Sequence, residues 1–314
     1  MQQYRFLQLD VFTDQAFAGN PLAVFPEAEG LSDEVMLKIA REMNLSETVF
    51  VLPSKSDEVL RRLRIFTPTR EIPFAGHPIV GTWNALAREG VVPLLEGGNG
   101  WQRIHHEVGI GVLPVDIEFK DGQPVQVVMT QGKFEILDEV DDGHEQAEIA
   151  RALGLAREDL AESLPIHVIT TGLSCMAVPV RSLADLRSCR VNAALLAEVY
   201  TRRGATGCHA FTRETIEIGA SRAHARFFAP ADNIAEDPAT GSACGALGGY
   251  LVHHGALSSL EPADDGRLKF VIEQGDFIHR PSRINLDVKG AAQTVEEVKV
   301  GGPSVLVARG EVSF

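Results

Sequence analysis

The 314-residue sequence has few cysteines, and it places them far apart. No two of the four form a C-x-x-C pair, so neither zinc-type ligand spacing nor a thiol redox motif is predicted. No apolar run approaches the ~20 residues that a membrane-spanning helix requires. The first residues alternate like a strand and do not build a secretory signal. These absences predict a cytoplasmic protein with reduced, buried thiols.

Positive charge is also scarce, because 29 Lys and Arg stand against 43 Asp and Glu, a formal net charge of −14. Binding to phosphate-rich surfaces needs a surplus of Lys and Arg, so we expect no nucleic-acid partner and no membrane partner. A small anionic metabolite remains possible, since backbone N–H groups can hold it in one pocket. The sequence has no G-x-x-x-x-G-K-[ST] and no G-x-G-x-x-G after a strand, so nucleotide binding is not predicted.

Two segments of the chain share one skeleton. Residues 64–78 and 226–243 both contain R-x-F-x-P-x-x-x-I followed by a glycine loop, with three extra residues in the second copy. Each loop glycine is followed fourteen residues later by another, at Gly76 and Gly90 and again at Gly241 and Gly255. A further echo pairs residues 129–134 with residues 272–277. Three matches in the same order predict a duplicated domain.

The apolar segments after the glycine loops predict two helices, from Ile79 to Glu89 and from Ala243 to His254. Helices with so little charge are expected to be enclosed, and strand-like stretches on either side supply the enclosing sheet. The predicted fold class is α+β, with two pseudo-symmetric domains, each a central helix wrapped by a mostly antiparallel sheet.

The length is typical of two domains of ~150 residues. We place the first over residues 1–130 and the second over residues 131–299, with a last strand at about 300–314 that returns to the first. The acidic run at residues 138–142 is interpreted as a solvated loop between them.

The glycine loops stand where the predicted helices begin. A helix start presents free N–H donors and partial positive charge, and glycine lets a ligand approach the backbone. Two such starts, related by a pseudo-two-fold axis, would face a cleft between the domains. Gly76 and Gly241 therefore predict a site for a small acid, most simply a carboxylate.

Four side chains near these loops could carry chemistry, and each also has a structural interpretation. Glu47 precedes a predicted strand, where a glutamate is commonly a solvated or capping residue. Asp237 precedes a proline, which is common turn chemistry. His77 and Ser242 could simply cap their helices. The second half, around residues 207–211, has no acid matching Glu47.

Several longer motifs resemble those of the PhzF-like family, the phenazine-biosynthesis isomerases and their relatives. The motifs are Phe17-Ala18-Gly19-Asn20-Pro21-Leu22-Ala23-Val24, Asn44-Leu45-Ser46-Glu47-Thr48, Phe74-Ala75-Gly76-His77-Pro78 and Glu236-Asp237-Pro238-Ala239-Thr240-Gly241-Ser242-Ala243. Gln274-Gly275 followed by Arg280-Pro281-Ser282 is similar to the same family. The resemblance spans nearly the whole chain.

The resemblance implies a diaminopimelate epimerase-like fold, a homodimer and a cofactor-free isomerase. Glu47 would be the general acid/base that moves a proton and a double bond on a small anionic metabolite. The implied substrate-binding residues are Asn20, Gly76, His77, Asp237, Thr240, Gly241 and Ser242, and no metal is implied.

Epimerases of that fold use two cysteines, whose positions match Ala75 and Thr240 here. We therefore expect no two-thiol racemase, and we place Cys244 in the core. Two other classes remain open. One is a hydrolase that uses Ser242, although Gly241-Ser242-Ala243-Cys244-Gly245 is not G-x-S-x-G. The other is a metabolite-binding protein without catalysis.

Overall fold

The computed structural model describes residues 2–56 and 58–314, which form two compact units. The first unit extends to Met129 and includes Gly301–Phe314, and the second is Thr130–Val300. The domain boundaries expected from the sequence lie between residues 130 and 131 and near residue 300. In the described part of the chain, no helix is long and apolar enough to cross a membrane.

The first unit is a mixed sheet around one buried helix. Its elements are β1 (Gln3–Val11), β2 (Asn20–Phe25), α1 (Asp33–Met43), β3 (Glu47–Leu52), β4 (Arg61–Phe66), β5 (Glu71–Ile72), α2 (Gly76–Arg88), β6 (Gly100–Val108), β7 (Gly111–Lys120) and β8 (Gln123–Thr130). Strands β1 and β2, β3 and β4, β4 and β5, β6 and β7, and β7 and β8 pair antiparallel. The β2–β3 and β4–β6 pairs are parallel.

The second unit repeats this order. Its elements are β9 (Glu135–Val140), α3 (Gly143–Ala152), β10 (Ile166–Thr170), β11 (Cys175–Pro179), α4 (Leu183–Ser188), α5 (Ala193–Arg202), β12 (Cys208–Thr212), β13 (Ser221–Ala229), β14 (Ile234–Asp237), α6 (Gly241–His253), β15 (Arg267–Gln274), β16 (Ser282–Ala291) and β17 (Thr294–Gly302). The parallel pairs β11–β12 and β13–β15 correspond to β2–β3 and β4–β6. The last strand, β18 (Ser304–Ser313), pairs with β1 as β9 pairs with β10. The α+β fold with pseudo-symmetric units is confirmed.

The central helix of each unit is enclosed along almost its whole length. Every residue of α2 except Arg88 is buried, and in α6 only Ser242 and His253 are not. Small residues let the sheet approach these helices. A Cβ added to Gly81 of α2, for example, would lie 2.6 Å from side-chain atoms of Leu22 in β2 and of Val11 in β1. The burial that the low charge of these segments predicted is therefore present in both units.

Both helices begin earlier than the sequence indicated, at Gly76 and Gly241 rather than at Ile79 and Ala243. Proline at position 78 is compatible with this start, because the first helical turn has no intrahelical acceptor for its N–H groups. The loop glycines thus belong to the first turn itself. His77 and Ser242 are the second residues of their helices.

Two sequence interpretations were wrong. The third echo joined β8 to β15, whereas the strand that corresponds to β15 is β6, since each pairs parallel with β4 or its counterpart β13. The acidic run at 138–142 is not a free loop. Asp138 lies in β9 and its carboxylate accepts from Arg203 at 2.8 Å, while Asp142 caps α3 by accepting from the Glu145 N–H at 2.9 Å.

The shared R-x-F skeleton has a structural role in both units. Arg64 forms a two-pronged pair with Glu71 (2.8 and 2.5 Å) that ties β4 to β5. Arg226 forms the same pair with Glu236 (2.9 and 2.6 Å) between β13 and β14. Each guanidinium also lies over the phenylalanine two residues on, with 5.2 Å from Arg64 to the ring centroid and 5.0 Å from Arg226. These pairs hold the strand that leads into each glycine loop.

The two pairs differ in burial, and this predicts different losses of stability. The Arg226 and Glu236 side chains are 9% and 11% exposed, whereas Arg64 and Glu71 are 13% and 41% exposed. We expect Arg226→Gln to lower the free energy of unfolding by about 3–5 kcal/mol, because Glu236 is left buried without its cation. The matched Arg64→Gln change should cost only about 1 kcal/mol or less. Urea unfolding of both variants tests this, and equal losses would contradict it.

Candidate active site

Three polar side chains meet in the first unit where β2, β3 and α2 begin. The Nε2 atom of His77 lies 3.4 Å from Oε2 of Glu47, and its Nδ1 lies 3.5 Å from Nδ2 of Asn20. The side chains of Glu47 and His77 are only 14% and 7% exposed, and Asn20 is fully buried. The structure therefore brings together three of the residues that the sequence singled out separately.

Local turns place two of these residues. Asn44 ends α1 in the left-handed conformation (φ 50°), which turns the chain so that Glu47 begins β3 three residues later. Gly19 also has positive φ (64°), and a Cβ there would lie 2.3 Å from the Val11 carbonyl oxygen. Only glycine permits that turn, which sets Asn20 opposite Val11 at the start of β2.

The protonation of His77 follows from its surroundings. Burial lowers the pKa of His77 to about 3, so the imidazole is neutral near pH 7. A neutral imidazole has one N–H donor and one acceptor nitrogen. With the Asn20 amide nitrogen as the neighbour of Nδ1, the matching assignment makes Nδ1 the acceptor and places the proton on Nε2. Nε2 lies 3.4 Å from Oε2 of Glu47, a close contact whose angles are outside hydrogen-bond geometry.

The predicted residues of the second unit surround the start of α6. Asp237 ends β14 and is buried, and its carboxylate accepts a hydrogen bond from the Thr240 hydroxyl. Thr240 precedes α6 without capping it by its side chain, and Gly241 opens the helix. The Ser242 carbonyl accepts from the Thr171 hydroxyl at 3.3 Å. Asp237, Thr240 and Gly241 thus form one turn, with Ser242 immediately after it.

The second unit has no carboxylate where the first has Glu47. Thr48 pairs with Phe66, and the corresponding strand pair sets Cys208 opposite Phe228, so Gly207 stands in the place of Glu47. A Cβ on Gly207 would lie 2.4 Å from the Phe227 ring. The aromatic ring occupies the space that a side chain would need. A carboxylate at this place exists in one unit only.

Thiol chemistry finds no support at the helix starts. Ala75 and Thr240 precede the two helices, and all four cysteines are free and buried. Burial raises the pKa of Cys175 to about 12 and that of Cys189 to about 11, which keeps both thiols protonated. The prediction that Cys244 is a core residue is confirmed.

The structure also reveals Gln274, which sequence reasoning noted only as part of a family motif. It ends β15, is wholly buried, and its amide bonds to the turn that contains Asp237 and Thr240. No spacing rule connects residue 274 with residue 240, so the sequence carries no signal for this contact. Among residues 2–56 and 58–314, no group of three or more His, Cys, Asp or Glu side chains is arranged to hold a metal ion.

The neutral state of His77 makes a prediction about acid stability. Its pKa of about 3 in the folded protein is below the 6.5 of a free histidine, so the unfolded chain binds the proton first. This histidine therefore favours folding above about pH 6.5 and loses that contribution as the pH falls toward 3. His77→Gln should flatten the pH dependence of the unfolding free energy by roughly 1.4 kcal/mol per pH unit between pH 6 and 4.

Urea unfolding at several pH values tests this slope. His209→Gln is a parallel variant, because burial lowers the pKa of His209 to about 3 as well. An unchanged slope in His77→Gln would show that the imidazole is protonated in the folded protein.

Comparison with known proteins identifies the family. The model for PhzC-PhzF, described as phenazine biosynthesis-like protein, matches residues 9–310. An uncharacterized isomerase of Clostridium acetobutylicum is 36% identical over 312 residues, which cover 99% of each chain. A trans-2,3-dihydro-3-hydroxyanthranilate isomerase of Pseudomonas aeruginosa is 34% identical over 308 residues, covering 98% of each chain.

A solved structure agrees with these relatives. The crystal structure of a PhzF-family phenazine biosynthesis protein of Bacillus anthracis matches with a TM-score of 0.85 and 28% identity over 100% of both chains. The resemblance seen in the motifs is confirmed. The chain therefore belongs to the PhzC-PhzF family of phenazine biosynthesis-like proteins, and it is an isomerase.

Proposed function

We propose that this isomerase moves a proton and a double bond on a small carboxylate substrate without a cofactor, with Glu47 as its general acid/base. The observation that carries the proposal is the Glu47–His77 contact of 3.4 Å in the first unit, set against Gly207 at the corresponding place in the second. With one carboxylate, a proton taken from one carbon must return from the same side to another carbon.

The proton balance of such a step is simple. Glu47 in its ionised form takes a proton from a C–H of the substrate. The electron pair of that bond forms a new double bond to the neighbouring carbon, and the pair of the old double bond moves to the carbon at its far end. The carboxylic acid so formed gives the proton to the carbon at the far end of the shifted system. Nothing is oxidised or reduced, and Glu47 returns to its starting state.

His77 supports this cycle by being a poor base. With a pKa of about 3, its imidazole does not compete for the proton that Glu47 holds between the two half-steps. Its Nε2 lies 3.4 Å from the Glu47 carboxylate without a hydrogen bond between them, and we propose that this hydrogen bond forms when substrate occupies the site. The proton therefore stays on the group that must return it.

The remaining predicted residues are proposed to bind the substrate. Backbone N–H groups at Gly76 and Gly241, and the Ser242 hydroxyl, suit a carboxylate or another anionic group. Asp237 and Thr240 suit a hydrogen-bond donor such as an amine or hydroxyl. We choose trans-2,3-dihydro-3-hydroxyanthranilate as the assay substrate, because a 34% identical relative is named for its isomerisation and the compound carries these groups.

The first test follows deuterium in that substrate. Wild-type protein in D₂O, without added cofactor, should move the double bond, as read by proton NMR. It should introduce deuterium at carbon in those turnovers in which the Glu47 carboxyl exchanges its proton with solvent before returning it. Glu47→Gln should slow the isomerisation by about 10²–10⁴-fold, because an amide cannot take and return the proton. Glu42→Gln, an exposed carboxylate on α1, is the control and should keep wild-type turnover.

Two outcomes would count against the proposal. Undiminished isomerisation by Glu47→Gln would remove Glu47 from the reaction. No isomerisation and no exchange with wild type across a panel of cyclic and amino-acid-like carboxylates would favour a binding role without catalysis.

The hydrolase alternative is tested at Ser242. In the described residues no hydrogen bond joins the Ser242 hydroxyl to a histidine, whereas His77 has Asn20 and Glu47 as neighbours. A serine nucleophile needs such a base to activate it. We therefore expect a serine-directed phosphonate to leave the protein unlabelled, as judged by intact-protein mass spectrometry. Labelling that Ser242→Ala abolishes would establish the hydrolase instead.

A further inference from the structure

The buried amide of Gln274 contacts the Asp237–Thr240 turn at several points. Its Nε2 donates to the Asp237 carbonyl at 2.7 Å and to the Thr240 hydroxyl oxygen at 3.0 Å. Its Oε1 accepts from the Thr240 N–H at 3.2 Å and from the Cys244 thiol at 3.3 Å. One side chain thus satisfies polar groups of the turn and of the first turn of α6.

The backbone partners fix which end of the amide is which. A peptide N–H can only donate and a peptide carbonyl can only accept, so Oε1 must face the Thr240 N–H and Nε2 must face the Asp237 carbonyl. The Thr240 hydroxyl oxygen therefore receives a hydrogen from Gln274. Since a hydroxyl has a single proton, that proton points to its other partner, the Asp237 carboxylate.

Gln274, Thr240 and Asp237 form a chain of hydrogen bonds, here called the relay, and the side chains that surround it are neutral. His209 of β12 lies against Gln274 and Ala243, and burial lowers its pKa to about 3, so its ring is neutral. Burial also raises the pKa of the Cys244 thiol well above its ordinary value. The relay therefore ends at the Asp237 carboxylate, which accepts a hydrogen bond from a Thr240 hydroxyl whose orientation is fixed by Gln274.

The fold itself does not require an amide here. Gly109 and Gly275 occupy matching places, because a Cβ on Gly109 would lie 2.6 Å from Cα of Pro73 and one on Gly275 would lie 2.5 Å from the Pro238 carbonyl oxygen. The residue before Gly109 is Val108, at the end of β6. Val108 therefore occupies in the first unit the position that Gln274 occupies in the second, and the first unit still forms its glycine loop.

We propose that Gln274 is a positioning residue, which orients the Thr240 hydroxyl toward Asp237 and so presents the carboxylate to the substrate as a fixed acceptor. The proposal rests on the proposed function only in its last step, the contact between Asp237 and substrate. The hydrogen-bond relay itself is a property of the protein without ligand.

The experiment compares Gln274→Met, which keeps the size of the side chain and removes its donor, with Thr240→Val and Thr240→Ser. Cys244→Ala is the control, since it removes a partner of the amide outside the relay. Wild type and each variant are assayed on trans-2,3-dihydro-3-hydroxyanthranilate. Gln274→Met and Thr240→Val should each lower kcat/KM by about 10–100-fold, mainly through KM. Thr240→Ser, which keeps the hydroxyl, should lose clearly less than Thr240→Val, and Cys244→Ala should stay near wild type.

Two further readouts separate positioning from loss of structure. The double variant Gln274→Met with Thr240→Val should lose no more than either single change, because both break the same relay. In Gln274→Glu, the introduced carboxyl can donate only while protonated, so its kcat/KM relative to wild type should fall as the pH rises. Additive losses, or a Thr240→Ser protein as poor as Thr240→Val, would overturn the proposal.

A measurement without substrate keeps this test independent of the proposed function. In protein labelled with ¹³C at threonine only, the Thr240 hydroxyl proton should be shifted downfield and protected from exchange in wild type and in Cys244→Ala. Gln274→Met should remove that protection. An unchanged hydroxyl signal in Gln274→Met would refute the relay, whereas an intact relay in a protein that does not turn over the substrate would count against the proposed function alone.

Discussion

In each unit a thirteen-residue helix is buried along almost its whole length, and this burial determines where the chemical groups lie. A helix enclosed by a sheet presents only its ends to other groups, and its first turn has N–H groups without helical partners. Neither α2 nor α6 has an acidic residue in that turn to satisfy them. The Arg–Glu pairs that tie β4 to β5 and β13 to β14 fix the strand that leads into it. Enclosure of an uncharged helix thus produces a polar, positively polarised end in both halves of the chain.

The two units place different polar groups on this common scaffold. His77 and Ser242 are both the second residues of their helices, and Glu47 corresponds to Gly207. The Glu47–His77 pair of the first unit therefore has no counterpart in the second, which has a hydrogen-bond network at its turn instead. A duplicated fold allows this division because each sheet and helix is stabilised by its own packing. Once the packing is secured twice, the residues at each helix start can differ without loss of the fold.

The sequence predicted those parts of the structure that depend on local pattern. The duplicated R-x-F skeleton and the fourteen-residue glycine spacing follow the periodicity of strands and helices, which is a property of neighbouring residues. The sequence-based predictions failed where a residue's role depends on which strands pair and on contacts between residues far apart in the sequence. Residues 129–134 resemble residues 272–277 in sequence, but their strand β8 does not occupy the position of β15 in the sheet. Asp138 accepts a hydrogen bond from Arg203, which is 65 residues away in the sequence. The contacts of Gln274 with the turn at 237–240 could not be predicted either, because only the order of strands in the sheet brings these residues together.

The burial that keeps His77 neutral also destabilises the folded protein in acid. A histidine held neutral beside a carboxylate can donate a hydrogen bond without taking the proton, which suits a reaction in which one carboxylate must hold a proton briefly and return it. The same desolvation that lowers its pKa to about 3 means that the folded state resists a proton that the unfolded chain accepts freely. A more exposed histidine would avoid this loss of stability, but in the proposed reaction it would compete with Glu47 for the transferred proton. Burial sets both the low basicity of His77 and the loss of folding stability in acid. A change that lowers the pKa of His77 further therefore also makes the folded protein less stable in acid.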